Sequence, residues 1–266
     1  MDFSGKTIWI TGASSGIGAG LATAFARAGA RLVLSGRRQA ALAEVAGRCQ
    51  ASTLLLPFEA TDLAILPEVV AEAEAKTGGI DILVNNAGIS QRSLALDTQF
   101  DVYRTIMEVD FFAPLRLTQL VLPAMVKRGS GAIVNNASVA GKVGSPLRTG
   151  YCAAKHAMVG WSDALRAEIA QYGVGVHVVT PGFVQTGIAE NALKGDGSRN
   201  GPNDDPVNSG VTPAEAAVTI LAGIAAGHRE IAVGKGAEIA LLDLNRTSPE
   251  QVFDLMAKLA PRVAPS

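Results

Sequence analysis

The sequence predicts one α/β domain built on a parallel sheet with helices on both faces. Three observations carry that prediction. Short apolar runs rich in Val, Ile and Leu alternate with longer amphipathic segments, the pattern of strands buried on both faces and joined by crossover helices. A glycine-rich turn, Thr11-Gly12-Ala13-Ser14-Ser15-Gly16-Ile17-Gly18, joins the first run to the first amphipathic segment. Small or polar stretches follow the carboxyl ends of several strands, which is where open α/β sheets bind ligands. Right-handed crossovers with one switch point give the expected strand order 3-2-1-4-5-6-7. The length of 266 residues suits one full core. No linker divides the chain, so residues 1–266 read as a single Rossmann-type, doubly wound domain.

The bulk numbers exclude several classes. A net charge of −1, with 18% charged residues, gives no support for binding nucleic acid or an anionic membrane surface. Two scattered cysteines, Cys49 and Cys152, are too few for a disulfide framework or a zinc site. His156, His177 and His228 show no ligand spacing, so no metal is expected. The cysteine usage points to a reducing, cytoplasmic setting. No basic-then-apolar leader precedes Lys6, and no run reaches the ~18 apolar residues of a membrane span. Neither a leader nor a span is expected.

Lys6 to Ile10 reads as the first strand, with Ile8-Trp9-Ile10 buried. The helix after the glycine turn carries Leu21, Ala22, Phe25 and Ala26 on one stripe and ends at Gly29. Strand, glycine turn and helix form the context in which such a turn cradles a phosphate. Glycines let the backbone approach a pyrophosphate, and the helix N-terminus favours its charge. The spacing, Gly-x-x-x-Gly-x-Gly, differs from the Gly-x-Gly-x-x-Gly of the commoner dinucleotide fold. A plain glycine-rich turn is the bland alternative. Arg31 to Ser35 is the second strand, followed by Gly36-Arg37-Arg38. The end of this strand meets the adenosine ribose in dinucleotide folds. An acid there would bind a free 2′-hydroxyl. Gly36 supplies none, and Arg37 offers a guanidinium fork suited to a 2′-phosphate. The expected cofactor is therefore NADP(H); otherwise the two arginines are solvated residues at a helix start.

Thr53 to Phe58 is the third strand, and Glu59-Ala60-Thr61-Asp62 opens a helix through about Lys76. Asp81 to Val84 is the fourth strand, ended by Asn85-Asn86-Ala87-Gly88, residues that make a turn and can also line a crevice. A long helical pattern runs from Thr98 to Lys127, with Thr98 as cap, Asp101 at the third position and Asp110 in its apolar middle. Gly131 to Asn135 is the fifth strand, with Ser138 just past it.

Tyr151-Cys152-Ala153-Ala154-Lys155 opens the next helix, which runs to about Tyr172. On a helix, Tyr151 and Lys155 share a face one turn apart. A phenol ordinarily loses its proton at about pH 10. A lysine ammonium beside it favours the phenolate, so the pair could exchange a proton near neutrality. The alternative is a packed ring and a solvated amine. Cys152 points about 100° away from Tyr151 and reads as a packed thiol. Val174 to Val179 is the sixth strand, followed by Thr180-Pro181-Gly182-Phe183-Val184-Gln185-Thr186.

The stretch 187–211 is rich in glycine and proline and reads as a substrate lid, made apolar by Ile188, Ala189, Ala192 and Leu193. Thr212-Pro213-Ala214-Glu215 is a capping box for a helix to about Ala226. Glu230 to Val233 is a last short strand. Ser248-Pro249-Glu250-Gln251 caps a final helix with Phe253, Met256 and Leu259 on one face.

Four of these stretches stand in one order: the turn from Thr11 to Gly18, Asn85-Asn86-Ala87-Gly88, Ser138 with Tyr151 and Lys155, and Pro181-Gly182 with Thr186. Together they resemble the short-chain dehydrogenase/reductase superfamily, single-domain type, over nearly the whole chain. Pro146-Leu147-Arg148 and Asn191-Ala192-Leu193-Lys194-Gly195-Asp196-Gly197-Ser198 resemble, more narrowly, the group that includes dehydrogenase/reductase family member 7. Members of that group often carry an N-terminal membrane segment, which is not expected here.

The resemblance implies an oxidoreductase that moves a hydride between NADP(H) and a ketone or secondary alcohol, which the apolar lid makes hydrophobic. It implies that Tyr151 transfers the proton. Lys155 would support Tyr151 and bind the nicotinamide ribose, and Ser138 would polarise the substrate oxygen. Gly12, Ser14, Ser15, Gly16, Ile17 and Gly18 would hold the cofactor phosphates and ribose. Glu59, where the family usually has Asp, and Ala60 would flank adenine. Asn86, Ala87 and Gly88 would face the adenosine and ribose side, and Pro181, Gly182, Val184 and Thr186 would seat the nicotinamide.

Asp110 departs from the asparagine usual in the long helix, which helps hold a water leading to the lysine. The proton relay is in question there. The family commonly pairs the helices near 98–127 and 151–172 between subunits, so a homodimer or homotetramer is expected. A lyase of the same fold is disfavoured, because the glycine turn is intact. Longer epimerases and dehydratases are disfavoured, because the chain has no room for their second domain. A non-enzymatic NADP(H)-binding regulator is the remaining alternative.

Overall fold

The computed structural model describes residues 1–261. The expected domain extends to Ser266, and 262–266 lie outside the described residues. In chain order the elements are β1 (Thr7–Thr11), α1 (Gly16–Arg27), β2 (Arg31–Gly36), α2 (Gln39–Arg48), β3 (Thr53–Pro57), α3 (Leu66–Thr77) and β4 (Ile82–Asn85). Then come α4 (Phe100–Met107), α5 (Ala113–Arg128), β5 (Gly131–Asn136), α6 (Thr149–Ile169), β6 (Val174–Pro181), α7 (Pro213–Ala225), β7 (Glu230–Val233), α8 (Ala237–Thr247) and α9 (Pro249–Leu259). The strands form one seven-stranded sheet in the order β3-β2-β1-β4-β5-β6-β7, and each pairing is parallel. The expected strand order holds.

Strand periodicity sends alternate side chains to opposite faces. Ile8, Ile10, Leu32 and Leu34 pack with Leu21 and Phe25 of α1 and Ile220 and Ile224 of α7. Trp9, Val33, Leu83 and Ile133 pack on the other face with Val70, Leu117, Val121 and Leu165. The buried Trp9 indole donates to Ser35 Oγ (2.9 Å), so its polar edge is satisfied. The chain reverses its direction of travel across the sheet at β1, whose two neighbours are β2 and β4. The crevice of such a sheet opens there, beyond the carboxyl ends of the strands.

Several boundaries differ from expectation. The helix after β3 begins at Leu66 rather than near Glu59, because Glu59 Oε1 accepts from the Thr61 amide (3.3 Å) and hydroxyl (3.2 Å) and closes a local turn. Gln99, without a side-chain cap bond, replaces Thr98 as the cap of α4. The Thr98 hydroxyl instead donates to the Leu94 carbonyl (2.6 Å).

The long helix is continuous from Phe100 to Arg128, but it widens into a π-turn at Glu108–Phe112. Pro114 lacks the N–H that would close an α-turn on the Asp110 carbonyl, and this favours the wider turn. One window of this 29-residue helix reaches a mean hydropathy of 1.3, long and apolar enough to cross a membrane by length and composition. That qualifies the expectation of no candidate span. In the fold its inner residues Leu117, Val121 and Met125 pack against the sheet.

The capping box of α7 forms as expected: Thr212 Oγ1 accepts from the Glu215 amide (3.2 Å), and Glu215 Oε2 accepts from the Thr212 amide (2.7 Å). In α9 the inward residues are Val252 and Met256, while Phe253 and Leu259 of the expected face are exposed. Ser248 makes no side-chain cap bond there.

Candidate active site

The turn after β1 is shaped by close approaches that admit only glycine. Gly12 has a left-handed backbone (φ 63°), and a Cβ there would lie 2.7 Å from Ala87 Cα. A Cβ at Gly18 would lie 2.4 Å from the Gly12 carbonyl oxygen. Thr11 ties this turn to the end of β4, its hydroxyl accepting from the amides of Asn86 (3.0 Å) and Ala87 (3.1 Å). Asn86 Nδ2 donates back to the Thr11 carbonyl (3.0 Å). Ser15 caps α1 without a side-chain hydrogen bond, so the first-turn N–H groups beside Gly16, Ile17 and Gly18 remain available to an anion. A cradle that any Cβ would fill, open at a helix N-terminus, fits a dinucleotide pyrophosphate.

At the adenosine end, the register Gly36↔Pro57 brings the loops after β2 and β3 side by side. Arg37 Nη1 lies 3.7 Å from Glu59 Oε2, and both side chains are exposed. Only the pairing of β2 with β3 brings Arg37 and Glu59 together. A small, mostly apolar cleft opens beside Glu59, lined by Thr11, Phe58, Ala60, Ala87 and Val109.

At the other end of the crevice, α6 carries Tyr151, half-buried, and Lys155, buried. Lys155 Nζ lies 5.6 Å from the centre of the Tyr151 ring and donates to the Asn136 carbonyl (3.1 Å). It also stands 3.2 Å from Asp110 Oδ2, in a pair whose side chains are only 5% and 0% exposed. Asp110 belongs to the π-turn, and its Oδ1 accepts from the Ile89 amide (2.8 Å). Burial pushes the Asp110 carboxyl up, against the opposing pull of Lys155 and the Ile89 N–H. Burial would lower Lys155, but the negative charge and hydrogen bond of Asp110, with Tyr151 nearby, outweigh it and hold the ammonium above its usual range. A Cβ at Gly88 would sit 3.4 Å from both Asp110 carboxylate oxygens and from Lys155 Nζ, so Gly88 forms the wall of this pair.

Ser138 follows β5 and caps a short 3-10 turn, its Oγ accepting from the Ala140 amide (3.1 Å). The same hydroxyl reaches the Pro181 carbonyl at 3.4 Å, linking the ends of β5 and β6. Gly182 donates to the Val233 carbonyl (2.8 Å), and a Cβ there would meet Glu238 Cγ at 2.5 Å. Val184 is buried and bridges Val211. Thr186 returns to the phosphate turn, where a Cβ on Gly16 would lie 2.9 Å from Thr186 Cγ2.

Sequence reasoning missed a polar ladder beneath the site. Asn85 donates to Thr118 Oγ1 (2.9 Å) and Asn135 Oδ1 (2.8 Å), and Asn135 donates to Ser162 Oγ (2.8 Å). Asn136 donates to Asn86 Oδ1 (2.8 Å). The signal was available: two Asn-Asn pairs end buried strands, and polar residues in such strands need partners. Sequence reasoning also missed the anchoring of 187–211. Leu193 exchanges backbone hydrogen bonds with Ser90 and Arg92 (both 2.8 Å), and Arg92 Nη2 pairs with Asp205 at 2.6 Å. Cys152 is packed as expected, its sulfur accepting from the Ser145 amide at 3.4 Å.

The model of the short chain dehydrogenase family matches residues 6–197. The chain is 38% identical to dehydrogenase/reductase SDR family member 7B of Danio rerio, over 96% of this chain and 85% of that protein. It is 39% identical to dehydrogenase/reductase SDR family protein 7-like of Drosophila melanogaster, over 97% and 82%. Among solved structures, a short-chain dehydrogenase from Streptomyces avermitilis superposes with a TM-score of 0.82 at 28% identity, covering 96% of this chain and 98% of that one. A short chain dehydrogenase/reductase from Burkholderia phymatum, solved in complex with NAD, gives 0.83 at 25% identity, covering 100% and 99%.

Proposed function

The chain belongs to the short-chain dehydrogenase family of oxidoreductases, and from that premise we propose that it is an NADP(H)-dependent enzyme interconverting a hydrophobic ketone and its secondary alcohol. The observation that carries this reading is the position of Lys155, whose ammonium lies 5.6 Å from the Tyr151 ring centre and is held by Asp110 and the Asn136 carbonyl. When bound, the nicotinamide cofactor supplies or accepts the hydride. In the reducing direction the Tyr151 phenol would give its proton to the carbonyl oxygen as the carbonyl carbon is reduced. Ser138 donates a hydrogen bond to that oxygen and stabilises the charge that develops there. Lys155 favours the phenolate that Tyr151 becomes and would hold the nicotinamide ribose. Pro181, Gly182, Val184 and Thr186 shape the nicotinamide seat, and residues 187–211 act as the lid.

NADP(H) is preferred in this reading because Arg37 replaces the acid that would repel a 2′-phosphate. One observation favours NAD(H) instead: Glu59 stands against Arg37 and offers a carboxylate to a free ribose hydroxyl. The Burkholderia phymatum relative was solved with NAD. We further infer a homodimer or homotetramer assembled through α4–α5 and α6. The two free, buried cysteines support a reducing, cytoplasmic setting.

The deciding experiment is a panel of apolar ketones and secondary alcohols, followed by NADPH absorbance. Turnover that disappears in Tyr151→Phe supports the proposal. A folded, NADPH-binding protein that turns over no member of a broad panel sinks it in favour of a binding role.

A further inference from the structure

Arg148 lies three residues before Tyr151, at the N-cap of α6, and its side chain makes no cap bond. The preceding Leu147 is the one non-glycine residue with a left-handed backbone among the described residues (φ 66°), a conformation that branched side chains rarely adopt. It is held there by the Ser93 amide, which donates to the Leu147 carbonyl (3.0 Å). The Gly150 amide donates to Gln91 Oε1 (2.7 Å). These bonds lace 91–93 to 147–150, so Arg92 and Arg148 project from adjoining backbones. Such a strained position persists only where its surroundings over-determine it.

Asp205 is already committed. Arg92 donates to its Oδ2 through Nε (3.0 Å) and Nη2 (2.6 Å), in a pair only 11% and 9% exposed. Among the described residues, no hydrogen-bond acceptor and no carboxylate in ion-pair range meets the Arg148 guanidinium. Burial, with the neighbouring Arg92 charge, pulls it below its usual range against the opposing pull of Asp205 and Tyr151. Arg148 is therefore left without a counter-ion three residues from the proton-transferring tyrosine, its neighbour Arg92 having taken Asp205.

We propose that Arg148 is a specificity-determining residue, and that the substrate is an oxo or hydroxy compound carrying an oxyanion group, a carboxylate or a phosphate ester, that pairs with the Arg148 fork. This rests on the oxidoreductase reading above and narrows its substrate class from any hydrophobic ketone to an amphiphile. Arginine suits either anion, because its planar donors pair two oxygens at once.

The test has a binding arm and a kinetic arm. Calorimetric titration of wild type, Arg148→Met and Arg148→Lys with decanoate, decyl phosphate and decanol, with NADP⁺ present, reads the site without turnover. Wild type should bind one of the anions about tenfold or more tighter than decanol, as expected for a charge-assisted hydrogen-bonded pair. Arg148→Met should abolish that preference while leaving decanol binding unchanged, and Arg148→Lys should keep part of it. The tighter anion identifies the group. In the kinetic arm, oxo acids should have a lower KM than their methyl esters in wild type, and Arg148→Met should equalise them. Equal wild-type affinities for anion and alcohol, or an Arg148→Met loss that is the same for both, would overturn the proposal. An anion preference abolished by Arg148→Met, with no turnover of acid or ester, would leave this site standing and defeat the oxidoreductase reading instead.

Discussion

Lys155 and Asp110 form a buried ion pair 3.2 Å apart, on two helices that the sequence separates by a whole strand. An ionised Asp110 stabilises the ammonium and so weakens the pull of Lys155 on Tyr151. Asp110→Asn should therefore shift the alkaline-favoured limb of the oxidation profile to lower pH. The check is kcat/KM against pH with one alcohol substrate. Superimposable profiles would leave Asp110 only the structural role of accepting from Ile89, and a shift to higher pH would reverse the electrostatic argument.

The same pair sets an alkaline stability limit. Lys155 is held above its usual range by Asp110. A basic group raised on folding contributes stability that is fully present below its unfolded value, ~10.4, and is lost as pH rises through the folded one. Without the carboxylate the main opposing pull is lost and burial lowers Lys155. Asp110→Asn should therefore be less stable than wild type in urea titrations at neutral pH, where it buries an unpaired ammonium, and that deficit should shrink as pH rises through the lysine range. Equal stabilities at neutral pH would mean that the pair contributes nothing to folding.

Tyr151→Phe keeps the ring that packs near Lys155 and removes the transferable proton. NADP(H) binding should persist, while turnover falls by roughly 10²–10⁴-fold. Retained turnover would assign the proton to another group.

Cofactor choice reduces to Arg37 and Glu59. Wild type should show higher kcat/KM with NADP(H) than with NAD(H). Arg37→Ala should erase that margin, and Glu59→Gln should widen it by freeing Arg37 from its 3.7 Å partner. Equal wild-type values for the two cofactors would sink the assignment.

Assembly is testable by light scattering. Leu96, Phe100 and Phe112 are 85%, 69% and 41% exposed on and beside the long helix, more apolar surface than that helix can bury on its own sheet. A dimer or tetramer at micromolar concentration is the expected result, and a monomer would contradict it.

Gly12→Ala would place a Cβ 2.7 Å from Ala87 Cα at φ 63°. It should cost about 1–2 kcal/mol from the backbone alone and weaken NADPH binding further, by distorting the cradle. Gly78→Ala has a comparable backbone (φ 79°) with nothing within 4 Å, so it should lose stability in urea titrations without losing affinity. Equal effects on affinity would remove the case for the cradle.

The sequence by itself determined the sheet and its order. Ile8, Trp9 and Ile10, or Val178 and Val179, are apolar whichever face they meet, and only a parallel sheet covered on both sides buries such runs. It also determined the Gly12–Gly18 turn, the Thr212–Glu215 box and the Tyr151–Lys155 pair, because each depends on neighbours within a few residues. Tertiary structure decided what depends on partners far apart in the chain. Asp110 reads as one residue in a helix until Pro114 opens the π-turn and β4 brings Ile89 beneath it. Arg37 meets Glu59 only through the β2–β3 register, and Arg148 is left beside Tyr151 without a counter-ion only because Arg92 has already taken Asp205. Local pattern fixes which elements form. Which charges share a low-dielectric crevice, and with what strength, is set by distances that only the packed chain possesses.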